Sequence, residues 1–145
     1  MKMKNKSVVV IGGGAAGLIA AGTAAENGAS VTLIEKNNRV GRKIMITGKG
    51  RCNITNNCDV QTFISNVPVN GRFLYSAINS FNPWDAMDFF ESLWLSLKTE
   101  RGNRVFPISD KAVDVVDSLN GYIEQNGVKL INDTATALVI NNGNL

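Results

Sequence analysis

The chain has 145 residues, a length that suits one domain with a buried core. Its net charge of +3 does not by itself indicate a nucleic-acid partner. Hydrophobic residues at 44% and charged residues at 19% exclude an intrinsically disordered chain. Histidine is absent, which excludes a Ser-His-Asp or Cys-His nucleophile and a histidine-ligated zinc site within this chain.

The first 25 residues imitate a secretory signal. Lysines precede an uncharged run over residues 7–25, whose length would also fit a membrane span. Glycines at positions 12–14 interrupt the run, and each would weaken a continuous helix by about 1 kcal/mol relative to alanine. The run also divides into a β-branched segment and an alanine-rich segment. We therefore predict a strand followed by a helix, and no membrane anchor.

The segment up to Glu35 predicts a strand–helix–strand unit. Ser7–Ile11 is an apolar run typical of a buried parallel strand. Ala15–Asn27 is typical of a helix, and Gly28 follows it where a left-handed residue commonly ends one. Ser30–Ile34 is a second β-branched strand, which ends at Glu35. A unit of about 30 residues is sufficient for a right-handed parallel crossover.

The remainder of the chain predicts a long glycine-punctuated loop, two helices and further strands. An aromatic and aliphatic stripe on the first of these helices, formed by Ala86, Phe89, Phe90 and Leu93, is typical of core packing. The predicted segments are a loop over Asn37–Cys58, a helix over Pro83–Leu93 capped by Asn82, an extended segment over Arg104–Ile108, a helix from Asp110 to about Gln125 capped by Ser109 and ended by Gly127, strands over Val128–Ile131 and Ala135–Ile140, and a turn at Asn141–Gly143.

The turn after the first predicted strand matches a glycine-rich motif that is typical of a ligand-binding site. Residues 12–17 read GGGAAG and match G-x-G-x-x-G, with a strand before, a helix after and Glu35 at the end of the next strand. Gly12 permits the tight turn, Gly14 lets a pyrophosphate approach the backbone, and Gly17 lets the helix lie close to the sheet. Glu35 can accept hydrogen bonds from ribose hydroxyls and would repel a 2′-phosphate. The pattern predicts a site for FAD or NAD rather than NADP; the alternative is a close-packed turn that binds nothing.

The loop that follows is basic. It contains no acidic residue between Asn37 and Cys58, whereas three glycines and Thr47 alternate with Arg39, Arg42, Lys43, Lys49 and Arg51. Such a segment can line a phosphate pocket, and the alternative is a solvated basic surface. An RNA-binding or polyanion-binding loop is less favoured because aromatic stacking residues are missing from it.

Two longer motifs resemble a known family. Gly41-Arg42-Lys43, followed by TGKGRCNITN at residues 47–56, resembles the signature of the BaiN-like flavoproteins, which are NAD(P)/FAD-dependent or aminoacetone-oxidase-like oxidoreductases. NGRFLYS at 70–76 and RVFPISDKA at 104–112 are similar to later blocks of that family. The resemblance extends over essentially the whole chain. It implies an α/β, Rossmann-like FAD/NAD(P)-binding domain with a parallel sheet that is incomplete at its C-terminus.

The resemblance also implies the cofactors and the residues that hold them. FAD is the implied cofactor, and NAD(P)H is the implied electron donor. The implied contacts are Gly12, Gly14, Ala15 and Ala16 at the pyrophosphate, Glu35 at the adenosine ribose, Lys36, Arg42 and Lys43 beside the cofactor, Thr47, Gly48, Cys52 and Asn53 towards the flavin, and Ala135 at the adenine through its backbone, where relatives tend to carry valine. Gly17 and Gly41 are also assigned to the cofactor-binding residues.

The chain departs from the family in two respects. Trp94 stands where relatives usually have glycine after a helix. Family members are also several hundred residues long, with a substrate domain and a C-terminal return into the FAD fold. Residues 1–145 are therefore expected to form the N-terminal part of one FAD-binding domain, and a separate complementing C-terminal chain is a possible partner.

The predicted function is the FAD-binding part of an oxidoreductase that accepts hydride from a nicotinamide cofactor. Its substrate, of unknown identity, would be an unsaturated or carbonyl-type compound. The alternative is a non-catalytic dinucleotide-binding fragment. No acid or base can be named as catalytic from the sequence.

The cysteines leave one further alternative. Cys52 and Cys58 lack CxxC spacing and are too few for a disulfide framework, which predicts a reducing, cytoplasmic location. Without histidine, a catalytic Cys52 would need cations such as Arg51 to stabilise its thiolate. A small residue that lines the cofactor pocket is the favoured interpretation of Cys52.

Overall fold

The structure is a computed structural model, and it describes residues 6–139. These residues form two compact units: the first contains residues 6–43 and 119–139, and the second contains residues 44–118. In chain order the elements are β1 (Ser7–Ile11), α1 (Ala15–Glu26), β2 (Ser30–Glu35), α2 (Arg42–Ile46), a 3-10 turn (Thr47–Gly50), β3 (Thr55–Asn56), α3 (Val60–Ser65), a second 3-10 turn (Gly71–Leu74), α4 (Tyr75–Ser80), α5 (Pro83–Ser92), β4 (Leu97–Glu100), β5 (Arg104–Pro107), α6 (Ala112–Gln125) and β6 (Lys129–Asn132).

The first unit contains the predicted parallel sheet. Its strand order is β1-β2-β6, and β1 pairs with β2 from Ser7 opposite Ser30 to Ile11 opposite Ile34. Strand β2 alternates between buried and half-buried residues, and Leu33 is fully buried. Helix α1 ends one residue before the predicted limit, and Gly28 takes the left-handed conformation with φ +92°. The strand–helix–strand prediction is confirmed, but the prediction that β1 is buried was wrong, because its residues alternate between exposed and half-buried and it lies at the edge of the described sheet.

Helix α1 packs closely against α6 within the first unit. A Cβ added at Gly22 would lie 2.1 Å from the ring of Tyr122, so only glycine leaves room for that ring. The Tyr122 hydroxyl donates to Glu26 at 2.8 Å. The contact arises between two helices that are far apart in the chain, and the sequence pattern did not indicate it.

The second unit contains a small antiparallel sheet that the sequence did not predict. Its order is β3-β5-β4, with Thr55 opposite Val105 and Leu97 opposite Pro107. The prediction of an unstructured loop over Asn37–Cys58 was wrong, because α2, a 3-10 turn and β3 lie within it. Strand β3 has only two residues, and its hydrogen bonds come from a partner about 50 positions away.

Helix α5 begins as predicted. Asn82 caps it by accepting from the backbone N–H groups of Trp84 at 2.8 Å and Asp85 at 3.1 Å, and Asp85 accepts from the Asn82 backbone at 2.7 Å. This reciprocal arrangement is a capping box with proline at the start of the helix. Of the four stripe residues predicted to pack in the core, Phe90 is buried and the others are half-buried.

The end of α5 places Trp94 in the left-handed conformation with φ +63°. The Trp94 backbone N–H donates to the Glu91 carbonyl at 3.0 Å, and the Leu95 N–H donates to the Phe90 carbonyl at 3.1 Å. These two bonds form a Schellman motif, and the buried side chains of Phe90 and Leu95 are its apolar pair. Glycine is the preferred residue at the position that Trp94 holds.

Trp94→Gly is expected to stabilise the chain. Glycine adopts the left-handed conformation without the steric penalty of a side chain, and the Trp94 side chain is 95% exposed, so its removal loses little packing. We expect the free energy of unfolding to rise by about 1 kcal/mol. Urea denaturation followed by far-UV circular dichroism measures it, and a fall in stability would contradict the expectation.

The last helix begins later than predicted. Helix α6 begins at Ala112 rather than Asp110, because Asp110 has φ +57° and cannot lie in a right-handed helix. Ser109 does accept a hydrogen bond from the Lys111 backbone, at 3.3 Å. Within α6, the apolar residues Val116, Leu119 and Ile123 are buried and Val113 is half-buried. Gly127, with φ +72°, follows the helix end as predicted.

The last predicted strand is absent from the described residues. Strand β6 covers Lys129–Asn132, one residue later than predicted, and residues 134–139 have no regular structure and are exposed. Residues 135–139 form no ladder with any described strand, so the strand predicted over Ala135–Ile140 was wrong for them. Ile140 and the predicted turn at Asn141–Gly143 lie outside the described residues. No helix among residues 6–139 is long and apolar enough to cross a membrane.

Candidate functional site

The glycine turn between β1 and α1 is held tightly on its inner side. Gly12 has φ +98° and donates to the Ile34 carbonyl at 2.8 Å. Gly13 is buried, and its N–H donates to Oε2 of Glu35 at 2.6 Å. A Cβ added at Gly17 would lie 1.9 Å from the Gly12 carbonyl oxygen. Backbone geometry therefore requires glycine at 12, and close packing requires it at 17.

Gly14 differs from its neighbours. It caps α1 with φ −80° and ψ −176°, an extended conformation open to any residue, and an added Cβ would meet no atom within 4 Å. The fold therefore gives no reason for glycine at 14. Helix α1 has no side-chain cap and no acidic residue in its first turn. Its first N–H groups, near the exposed Ala15 and Ala16, face open space with the positive end of the helix dipole.

Glu35 joins the glycine turn to the end of β2. It is 8% exposed, and besides the Gly13 bond its Oε1 accepts from the backbone N–H of Asn37 at 2.8 Å and from the Asn37 carboxamide at 2.5 Å. The Asn37 backbone bond, assisted by the other two, outweighs burial and lowers the pKa of Glu35 below its ordinary value of 4.5. Glu35 is an ionised carboxylate at neutral pH.

Glu35→Gln is expected to lower stability at neutral pH. One oxygen becomes an NH₂ group that faces an N–H donor, so at least one charge-assisted bond is lost, at a cost of about 2 kcal/mol. Because the folded pKa is depressed, the stabilisation by Glu35 is present above the unfolded pKa and is lost as the pH falls through the folded pKa.

The measurement is urea unfolding of both proteins at neutral pH and at a pH below the folded pKa. We expect the difference in unfolding free energy to shrink in acid. A difference that stays constant across that range would contradict the ionised, bonded state of Glu35.

The carboxyl ends of β2 and β6 complete the surroundings of the turn. Gly41, with φ +69°, donates to the Gly13 carbonyl at 2.7 Å, and Arg42 donates to Oδ1 of Asn37 at 3.0 Å. The Asn132 carboxamide donates to the carbonyls of Glu35 at 2.9 Å and Asn37 at 2.7 Å. The structure thus brings the predicted residues Gly12–Gly17, Glu35, Gly41 and Arg42 into one unit.

Three residues of this site were not predicted from the sequence. Asn37 and Asn132 provide the bonds just described, and Val40 packs against Gly13, where an added Cβ would lie 2.8 Å from it. The only sequence signal for the asparagines was their place just after or at the end of a strand. The predicted residues Lys36, Lys43 and Ala135 are exposed, and Ala135 lies beyond β6 in a segment without regular structure.

Four predicted site residues belong to the second unit. Thr47 and Gly48 lie in the first 3-10 turn, Cys52 donates from its backbone to the Thr47 carbonyl at 3.3 Å, and Gly48 approaches the Asn53 backbone, since an added Cβ would lie 3.1 Å from it. Gly48 has φ +55° and Cys52 has φ +59°. The segment therefore folds back on itself through left-handed residues.

Arg51 is anchored within the second unit. Its guanidinium donates to Glu100 at 2.5 Å and to Asp110 at 2.6 and 2.8 Å, and lies 4.2 Å from the ring centroid of Phe106. Lys98 donates to the same Asp110 at 2.6 Å, and Lys98 followed by Arg51 lowers the pKa of Asp110. Two carboxylates therefore offset the charge of Arg51, which favours a role in fixing the loop over one in holding a phosphate.

The environment of Cys52 does not activate a thiol. The residue is 7% exposed, and burial raises its pKa above the ordinary value of 9.0, although the Thr47 side chain opposes this. Burial likewise raises the pKa of Cys58. Both side chains are therefore thiols at neutral pH, which disfavours Cys52 as a nucleophile.

Comparison with known proteins identifies the family. Residues 6–144 match the family described as HI0933-like protein Rossmann domain. The chain belongs to this family. The match, together with the relatives below, confirms the resemblance to BaiN-like flavoproteins and the Rossmann-like α/β fold.

The curated relatives of this HI0933-like chain are longer proteins. It is 36% identical over 83% of its length to the 3-dehydro-bile acid delta(4,6)-reductase of Clostridium scindens, and 32% identical over 87% to the ribosomal RNA dihydrouridine synthase of Escherichia coli. It spans 29% and 31% of those two proteins.

Solved structures show the same fold. Thermovibrio ammonificans THI4 matches with a TM-score of 0.62 at 15% identity, over 97% of this HI0933-like chain and 44% of that one. An oxidoreductase from Methanosarcina mazei matches with a TM-score of 0.53 at 16% identity, over 94% and 53%. At these identities the likeness concerns the fold alone.

Proposed function

We propose that this chain binds FAD at the glycine turn and forms the cofactor-binding part of an oxidoreductase. The single observation that carries the proposal is Gly14, whose glycine identity nothing in the fold requires. The open space in front of Gly14 meets the uncapped start of α1, where backbone N–H groups and the helix dipole favour a pyrophosphate.

Glu35 supports a ribose next to that pyrophosphate. An ionised carboxylate has about four acceptor sites, and Gly13 and Asn37 occupy three of them. The remaining site can accept from one ribose hydroxyl. A 2′-phosphate at that position would meet the same negative charge, which favours FAD or NAD over NADP.

The residues of the first unit fit the phosphate and ribose groups of FAD. Gly12, Gly14, Ala15, Ala16 and Gly17 would face the pyrophosphate, Glu35 the ribose, and Lys36, Gly41, Arg42 and Lys43 the edge beside it. Thr47, Gly48, Cys52 and Asn53 of the second unit and the backbone of Ala135 remain proposed cofactor contacts. When bound, FAD supplies the hydride chemistry, whereas the protein positions it and adjusts its electrostatics.

The reaction class rests on the relatives. One is named a delta(4,6)-reductase and the other a dihydrouridine synthase, and both names describe changes at carbon–carbon double bonds. We propose hydride delivery from NAD(P)H to the flavin and then to an unsaturated or carbonyl-type substrate. The alternative is a non-catalytic dinucleotide-binding fragment.

A further polypeptide is proposed to cover β1. This strand has one partner in the described sheet, and its residues Val9 and Ile11 are 60% and 56% exposed. Parallel sheets are generally covered on both faces. We propose that a separate complementing chain supplies this cover.

Titration of the 145-residue chain with FAD, followed by flavin fluorescence, tests the proposal. We expect saturable binding that ADP displaces, and about tenfold weaker displacement by adenosine 2′,5′-bisphosphate than by AMP because of the 2′-phosphate. NADH or NADPH added anaerobically should then bleach the flavin absorbance. Failure to bind FAD would overturn the proposal, whereas bound FAD that neither nucleotide reduces would establish the non-catalytic alternative.

A further inference from the structure

We propose that the cleft beside Trp94 is a docking surface for an arginine side chain presented by a partner protein. This Trp94 cleft has a volume of about 480 Å³ and lies entirely within the second unit. Its lining includes Trp94, Ile108, Asp114 and Asp117. The proposal does not depend on FAD binding.

The placement of Trp94 is costly to the isolated chain. Its backbone is left-handed, which disfavours any side chain, and its large apolar ring is 95% exposed. The Schellman motif needs a left-handed residue but makes no use of an indole. Exposed tryptophan is characteristic of residues that dominate protein interfaces, where one face of the ring becomes covered.

The other lining residues match the parts of an arginine side chain. The indole offers a flat face for a planar guanidinium, and the Asp114 carboxylate can accept two of its N–H groups. Ile108, which is 58% exposed, can contact the methylene stem. Lysine has neither a planar group to stack on the indole nor paired N–H groups to donate together to the carboxylate, so arginine is the better fit.

The negative charge of the side chains that line the cleft also favours a cationic group there. The chain as a whole carries +3, yet the charged residues that line the cleft, Asp114 and Asp117, are acidic. Asp114 lies in the first turn of α6. The cleft is open to solvent and flanked by exposed apolar groups, which suits a side chain on a protein segment better than an enclosed small ligand.

The experiment compares two peptides that differ in charge. The peptides acetyl-Leu-Arg-Leu-amide and acetyl-Leu-citrulline-Leu-amide are titrated into ¹⁵N-labelled full chain, and the two indole N–H resonances are followed. Trp84 is the internal control, because its indole donates to Asn57 at 2.9 Å; Trp84→Phe assigns the two signals. We expect a saturable shift of the Trp94 signal with the arginine peptide alone, at a dissociation constant on the order of 1 mM.

Two variants separate recognition from folding. Asp114→Asn is expected to weaken arginine-peptide binding about fivefold or more. Trp94→Gly, which lacks the indole signal and is followed by the backbone amide shifts of Ile108 and Asp114, is expected to abolish binding while being the more stable protein. Equal shifts with both peptides, or unchanged affinity in Asp114→Asn, would overturn the proposal. So would N-acetyl-arginine methylamide binding as tightly as the peptide, since the occupant would then be a free guanidinium compound rather than a protein segment.

Discussion

Gly14→Ala is expected to lower the free energy of unfolding by less than about 1 kcal/mol, because alanine is a poorer N-cap than glycine, and to weaken FAD binding on the order of a hundredfold, about 3 kcal/mol. The added methyl group meets no protein atom within 4 Å, and the backbone conformation of Gly14 suits alanine. The methyl group would instead stand where a pyrophosphate must approach the first N–H groups of α1. The cost therefore falls mainly on the ligand and not on the fold.

Two measurements on the same sample check this expectation. Urea unfolding should show a loss of stability of less than about 1 kcal/mol, and FAD titration should show the much larger loss of affinity. Unchanged FAD affinity in Gly14→Ala would remove the pyrophosphate from the turn and with it the proposed function. An unfolded variant would show instead that Gly14 has a structural role that the geometry does not reveal.

Gly17→Ala is expected to have the largest effect on stability, a loss of about 3 kcal/mol or more. Its Cβ would lie 1.9 Å from the Gly12 carbonyl oxygen and 3.1 Å from the Gly12 carbonyl carbon. Both atoms belong to the backbone and cannot turn aside as a side chain would. Helix α1 would have to move away from the turn, which would also disturb the bond between Gly13 and Glu35.

A matched control lies in α6. Gly121 is also a helical glycine, but a Cβ there would meet nothing within 4 Å, so Gly121→Ala should raise stability by about 0.5–1 kcal/mol through helix propensity. Thermal and urea unfolding of the two variants in parallel would check the contrast. Equal stability of Gly17→Ala and Gly121→Ala would mean that α1 does not lie as close to the turn as the structure shows.

The roles of the residues in the glycine turn could be predicted from the sequence only in part. The pattern assigned Gly12 to the turn, Gly14 to a ligand and Gly17 to packing, and the backbone angles and added-Cβ distances agree with the first and third assignments. The same pattern placed Glu35 at the strand end but assigned it only a ligand role. The structure shows that Glu35 also bonds Gly13 and Asn37, because its side chain points back into the turn.

The sequence by itself determined β1, α1, β2, the start of α5 and the end of α6. These elements depend on local signals, namely apolar runs, capping residues and glycines with left-handed backbone, and all of these act within a few positions of the chain.

Only the tertiary structure decided the rest. Strand β3 has only two residues, and it pairs with β5 about 50 positions away. The ion pairs of Arg51 with Glu100 and Asp110 likewise span 49 and 59 positions. No local pattern encodes such pairings, because their free energy appears only when the partner segment is already in place.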